Sequence, residues 1–203
     1  MSDRFPGLVR RWRFGPPIVV VSGLPRSGTS MAMKMLDAGG LAVVTDNVRA
    51  ADEDNPKGYY EDERVKDLAR SSERAWLRDA RGKSIKIISF LLKDLPADNN
   101  YRVLFMERDL SEVLASQQKM LTHRGEDSAT EDARMRDDFV EHLRHVKFML
   151  GYRRHFDVLY VGYRNVLEHP AEEARRINEF LGDTLDERAM AEVADRGLYR
   201  NRA

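Results

Sequence analysis

The chain has 203 residues, 42% of them hydrophobic and 33% charged, and its 34 basic and 34 acidic side chains cancel to a formal charge of zero. That balance excludes the basic surplus that extended nucleic-acid binding needs, and leaves room for a compact anionic ligand held by a local positive cluster. With no cysteine in the sequence, disulfides, thiolate metal sites and a cysteine nucleophile are excluded together. The length predicts one domain over residues 1–203, with a polar lead-in over 1–16 and a C-terminal tail segment over 183–203. The longest apolar run near the N-terminus, 18–21, is too short for a bilayer span or a signal core, so a cytoplasmic chain is expected.

Taken in order, residues 18–21 (Ile-Val-Val-Val) are β-branched and unalternating, the pattern of a strand buried on both faces. A glycine-bearing turn follows, then a helix over about 28–38, stopped by Gly39 and Gly40. A second short strand is expected over 41–44 and a turn-dense loop over 45–63. Further on, the spacing predicts a helix over about 62–79, strands over 84–89 and 101–106, and helices over 111–120 and 129–152. A last strand is expected over 158–161 and a last helix over 171–181, ended by Gly182. Strands alternating with helices imply an α/β three-layer sandwich, its central sheet mostly parallel.

The segment Ser22-Gly-Leu-Pro-Arg-Ser-Gly-Thr-Ser30 joins the first strand to the first of these helices. Backbone N–H groups converge at such a junction, and the helix dipole adds positive potential. Gly23 and Gly28 allow the tight turn; Ser27, Thr29 and Ser30 offer hydroxyls; Arg26 adds a forked cation suited to phosphate or sulfate oxygens. A nucleoside-triphosphate P-loop would carry Lys where Thr29 stands, which counts against ATP chemistry. The Pro-Arg-Ser-Gly-Thr core of the loop resembles the 5′-phosphosulfate loop of sulfotransferases, whose donor is 3′-phosphoadenosine 5′-phosphosulfate (PAPS), within a P-loop NTPase-like fold.

A second match lies in Arg102–Ser116, read as strand, turn and helix. Arg108 at the strand end, with Ser116 eight residues later, resembles the family's 3′-phosphate motif. For Arg108 taken alone, a salt bridge with Glu107 or Glu112 is the competing account. Tyr163, in Val161-Gly-Tyr-Arg-Asn-Val-Leu-Glu-His-Pro170, matches a looser family stretch and by that resemblance approaches the adenine; Arg164 and Asn165 replace the usual acidic pair. The resemblance thus assigns cofactor contacts to Arg26, Ser27, Gly28, Thr29, Ser30, Arg108, Ser116 and Tyr163.

Sulfuryl transfer needs a cation near the bridging oxygen and a base near the acceptor. Lys86 resembles the lysine of the family's Lys-Thr-His strand, but Ile88 stands at the histidine position, so the base must come from elsewhere. Asp46, after the second expected strand, is the first candidate and Glu61 the rival; a turn cap and a helix start are their structural alternatives. The acidic loop 51–63, with two tyrosines, reads as an acceptor-binding lid or as a solvated loop. His142 and His145 read as surface residues of a charged helix, no metal site is expected, and Arg196, Arg200 and Arg202 read as a basic tail.

The reading is a PAPS-dependent sulfotransferase using no metal, its partners the nucleotide and a hydroxyl or amine acceptor, with no nucleic acid. A P-loop kinase-like phosphotransferase and a non-catalytic nucleotide-binding protein are the alternatives. Oligomeric state is open.

Overall fold

In the computed structural model the structure describes residues 4–46, 60–123 and 132–194. Four parallel strands form one sheet in the order β2-β1-β3-β4: β1 Ile18–Gly23, β2 Ser84–Lys86, β3 Tyr101–Glu107 and β4 Phe156–Gly162. Seven α-helices accompany them among the described residues: α1 Arg4–Phe14, α2 Thr29–Ala38, α3 Leu110–His123, α4 Asp132–Tyr152, α5 Tyr163–Glu168, α6 Pro170–Leu181 and α7 Glu187–Glu192.

β1 is buried along its whole length because it is central, pairing with β2 on one side and β3 on the other. Its alternation feeds two cores. Ile18 and Val20 join Val103 and Phe105 against Val146 and Leu150 of α4; Val19 and Val21 join Leu104 and Met106 against Met33, Leu36 and Ile177 of α2 and α6. Each fully buried aliphatic side chain contributes about 1.5–3 kcal/mol, so a charge at Val20 would break both the strand and the layer behind it.

The crossover β1–α2–β2 leads to one side of β1, and the chain then returns to β3 on the other. In open α/β sheets such a reversal of strand order opens a crevice at the carboxyl ends of the strands. The end of β1 is therefore where a ligand is expected, and the loop Leu24–Gly28 stands there.

Several expected elements differ. Residues 62–79 do not form one α-helix: short 3₁₀ turns occupy Glu63–Val65 and Ala75–Ala80. Val65 and Leu68, the latter just past the first turn, and Leu77 and Ala80 of the second are buried and spaced by three, the repeat of a 3₁₀ turn. Between them the Ser71 hydroxyl accepts from the Glu73 amide and stabilises a local turn instead of a helix. The strand expected over 41–44 reduces to a single bridge from Val43 to Ser84, because β2 spans only three residues.

The N-terminal stretch, expected as a lead-in, is helical over Arg4–Phe14. Pro6 falls in the first turn, where its missing N–H costs little. The segment after Gly182, expected as a tail, contains α7, capped by the Asp186 side chain on the Ala189 amide at 3.0 Å. Met190 of α7 is fully buried against Gly39, and Asn178 of α6 donates to Glu187 at 2.8 Å. Part of the expected tail is thus core. Gly182 ends α6 in the left-handed conformation, as expected (φ 105°).

Candidate active site

The loop after β1 is shaped by positive φ angles at Gly23 (149°), Arg26 (68°) and Gly28 (98°). Glycine tolerates this region, whereas Arg26 is held there by its surroundings. Ser27 is buried and turns its hydroxyl back onto the Leu24 carbonyl at 2.7 Å, closing the loop on itself. Gly28 is the N-cap of α2, so Thr29 and Ser30 open the helix with their amides at its positive end.

Arg26 Nε donates to Ser116 Oγ at 3.0 Å, which brings the loop arginine onto the serine of the second motif, 90 residues away in sequence. Arg108, at the end of β3, donates to the Arg26 carbonyl at 3.0 Å and to Glu112 Oε2 at 2.9 Å. The salt bridge weighed as the alternative for Arg108 therefore exists, and it lies inside the same cluster as the loop. Tyr163 packs its ring on the loop, where a Cβ at Gly28 would meet it at 2.4 Å. The Arg108 guanidinium lies 4.3 Å over the Tyr163 ring, so this tyrosine braces both phosphate-binding candidates.

Beside these residues, between the ends of β3 and β4, is a cavity of about 320 Å³ walled by Arg108, Glu112, Tyr163 and Arg164 among others. Glu112 is only 3% exposed, and its second oxygen accepts from Arg164 at 3.3 Å. Arg164 and Glu112 are members of this cluster that the sequence reading did not assign to ligand binding. The substitution of Arg164 for the family's acid was the signal available.

On the other side of β1, Lys86 ends β2 almost fully buried and donates to Glu61 Oε1 at 3.1 Å. Asp46 is exposed, and its carboxylate accepts the Glu63 amide at 2.6 Å, capping the turn that carries Glu61. The Asp46 amide in turn donates to the Glu61 carbonyl at 3.2 Å. Lys86 and Glu61 thus meet; Asp46 is tied to their segment through the backbone.

His142 is not a plain surface residue. Its ring stacks on Phe90 at 3.7 Å, lies 2.8 Å from Ser89 Oγ, and has its pKa lowered by burial and then by His145. Most of the acidic loop (51–59), and Arg196, Arg200 and Arg202, lie outside the described residues. Among the described residues no group of three or more His, Asp or Glu side chains is arranged to hold a metal ion. Nor is any helix long and apolar enough to cross a membrane.

A parallel α/β sheet whose central strand runs into a glycine-bearing, arginine-carrying loop at a helix start is the architecture of a P-loop-like α/β fold. The sulfotransferase domain model matches residues 16–201, and the chain belongs to the sulfotransferase family. A solved structure described as retinol dehydratase in complex with androsterone and inactive cofactor PAP is also similar, at 16% identity and a TM-score of 0.45, over 94% of this chain and 68% of that one. Comparison with curated proteins gives no match.

Proposed function

We propose that this chain transfers a sulfuryl group from PAPS to a hydroxyl or amine of an acceptor. The observation that carries the reading is the Arg26–Ser116 hydrogen bond, because it joins the 5′-phosphosulfate loop to the 3′-phosphate motif in one cluster. A nucleotide bearing phosphate at both ends fits that pairing; a nucleoside triphosphate needs a lysine where Thr29 stands. The amides of Ser27–Ser30 with Arg26 receive the 5′ end of the donor, and Arg108 with Ser116 receives the 3′-phosphate. Tyr163 acts by bracing Gly28 and Arg108 more than by meeting the adenine.

In the transfer step the acceptor oxygen or nitrogen bonds to sulfur as the bond from sulfur to the bridging phosphate oxygen breaks. Lys86 meets the charge that develops on that bridging oxygen, and the acceptor proton passes to a carboxylate. Glu61 is our choice for that base over Asp46, on the strength of its contact with Lys86. Asp46 then positions the turn that presents Glu61. The lack of cysteine fits a cytoplasmic location.

Calorimetric titration with 3′,5′-adenosine bisphosphate and with ATP plus Mg²⁺ tests the reading. Tight binding of the bisphosphate, together with sulfuryl transfer from PAPS to some member of an alcohol and amine panel, is expected. A preference for ATP would falsify it, and bisphosphate binding without transfer would favour a non-catalytic nucleotide-binding protein.

A further inference from the structure

The wall of the cavity between β3 and β4 holds a charge arrangement the family resemblance does not account for. Glu112 is a buried carboxylate shared by two guanidiniums: Oε2 accepts from Arg108 at 2.9 Å and Oε1 from Arg164 at 3.3 Å. The Arg108 side chain is 8% exposed, whereas Arg164 is 58% exposed at the cavity rim. The other two acids of the wall have partners of their own. Glu107 pairs with Lys147 at 2.5 Å, and Asp109 accepts from the Ser111 amide at 2.8 Å. Glu112 therefore links the two arginines of the wall, one buried and one exposed.

Placement favours a shared task. Arg164 follows Tyr163, the residue whose ring carries Arg108, so the start of α5 sets both cations on one wall. A phosphate monoester brings a charge of about −1.5 to −2 near neutral pH, more than one arginine neutralises. Arg108 is buried and held by Glu112, while Arg164 reaches the same carboxylate from the exposed rim, where a guanidinium can also meet an anion held by Arg108.

We propose that Arg164 is a second cation for the 3′-phosphate and sets the preference for a 3′-phosphorylated nucleotide over the same nucleotide without that group. The proposal rests on the PAPS reading above.

The test is a binding cycle with two ligands, 3′,5′-adenosine bisphosphate and AMP, titrated into the wild type, Arg164→Ala, Arg164→Lys and Arg108→Ala. Arg164→Ala should weaken the bisphosphate by about tenfold and leave AMP within about twofold, since only the bisphosphate carries the group in question. Arg164→Lys should recover part of the loss, and the salt dependence of bisphosphate binding should flatten in Arg164→Ala. Equal weakening of both ligands would assign Arg164 to holding the fold, and an unchanged bisphosphate affinity would remove it from the site; either result overturns the proposal. A wild type that binds bisphosphate no better than AMP, or that prefers ATP, would instead defeat the PAPS reading itself.

Discussion

The two ends of the parallel sheet are both dressed with arginine, and they use it in opposite ways. At the amino end Arg10 donates to the carbonyls of Ala97 and Asn99 and to the Asn100 side chain, at 2.9–3.0 Å. Arg81 donates to the Asn99 side chain at 2.8 Å and the Asp98 carbonyl at 3.2 Å. These bonds satisfy the turn that enters β3 and dock α1 onto it; the Asn100 amide completes the contact by donating to the Arg10 and Gly15 carbonyls. At the carboxyl end Arg26 meets a hydroxyl, while Arg108 and Arg164 share a carboxylate beside a cavity. Arginines spread along the carbonyls and asparagine side chains of one turn build the fold. Arginines from three elements that converge beside one cavity at the end of the central strands are the feature on which the proposed anion site rests.

The largest effect expected from this contrast belongs to Lys86. Lys86→Ala should lower the rate of sulfuryl transfer by about 10²–10³, the range for removing one group that stabilises developing charge, while bisphosphate affinity stays within a few-fold. Single-turnover rates with PAPS, set beside calorimetric affinities, separate the two. A variant that loses binding and rate in equal measure would move Lys86 from the reacting centre to the nucleotide.

Next in size is Gly28→Ala. The added Cβ meets Tyr163 at 2.4 Å and must be held at a φ of 98°, so both sterics and backbone oppose it. The loop should open, with a loss of about tenfold or more in bisphosphate affinity and about 1–3 kcal/mol in stability. If melting temperature falls while affinity holds, the Tyr163–Gly28 contact belongs to the fold alone.

Arg10→Ala draws the line from the other side. It removes three bonds that are only partly shielded from water, so a loss of about 1–2 kcal/mol is expected after screening. That corresponds to a drop of about 2–8 °C in melting temperature for a chain of this size. Bisphosphate affinity should not change. A change would show that the amino end of the sheet communicates with the site.

How much of this was legible in the sequence follows the same division. The strand–loop–helix junction at 23–28 was legible because strand, glycines and helix start are local, and the Arg108–Ser116 spacing because eight residues of strand and helix fix it; that Arg26 joins them was not. Glu61 reads in the sequence only as the rival of Asp46 for the base; its pairing with Lys86 depends on how residues 60–63 fold back onto β2, which no local spacing encodes. Helix α1 carries a helical pattern in Phe5, Leu8, Val9 and Trp12, but Val9 and Trp12 are exposed and the contacts that dock the helix come from Ala97, Asn99 and Asn100, far along the chain. His142 read as exposed for a similar reason: Ser89 and Phe90 reach it from another element.

The smallest predicted effect tests the amino end by pH. Burial first, then the nearby Arg10 and Arg153, push the His155 imidazole down from 6.5 to about 4. Folded His155 is therefore neutral between about 4 and 6.5, where the same residue in the unfolded chain takes up a proton. Its contribution to stability is complete above 6.5 and is lost as pH falls from there toward 4. His155→Gln removes the titrating group, so the melting temperature of the variant should fall less than that of the wild type between about pH 7 and pH 5. Parallel curves would place His155 in contact with solvent and its arginine neighbours farther off. Bisphosphate affinity, compared at a single pH, should be the same in both proteins, because a histidine at the amino end of the sheet has no path to an anion bound at the carboxyl end.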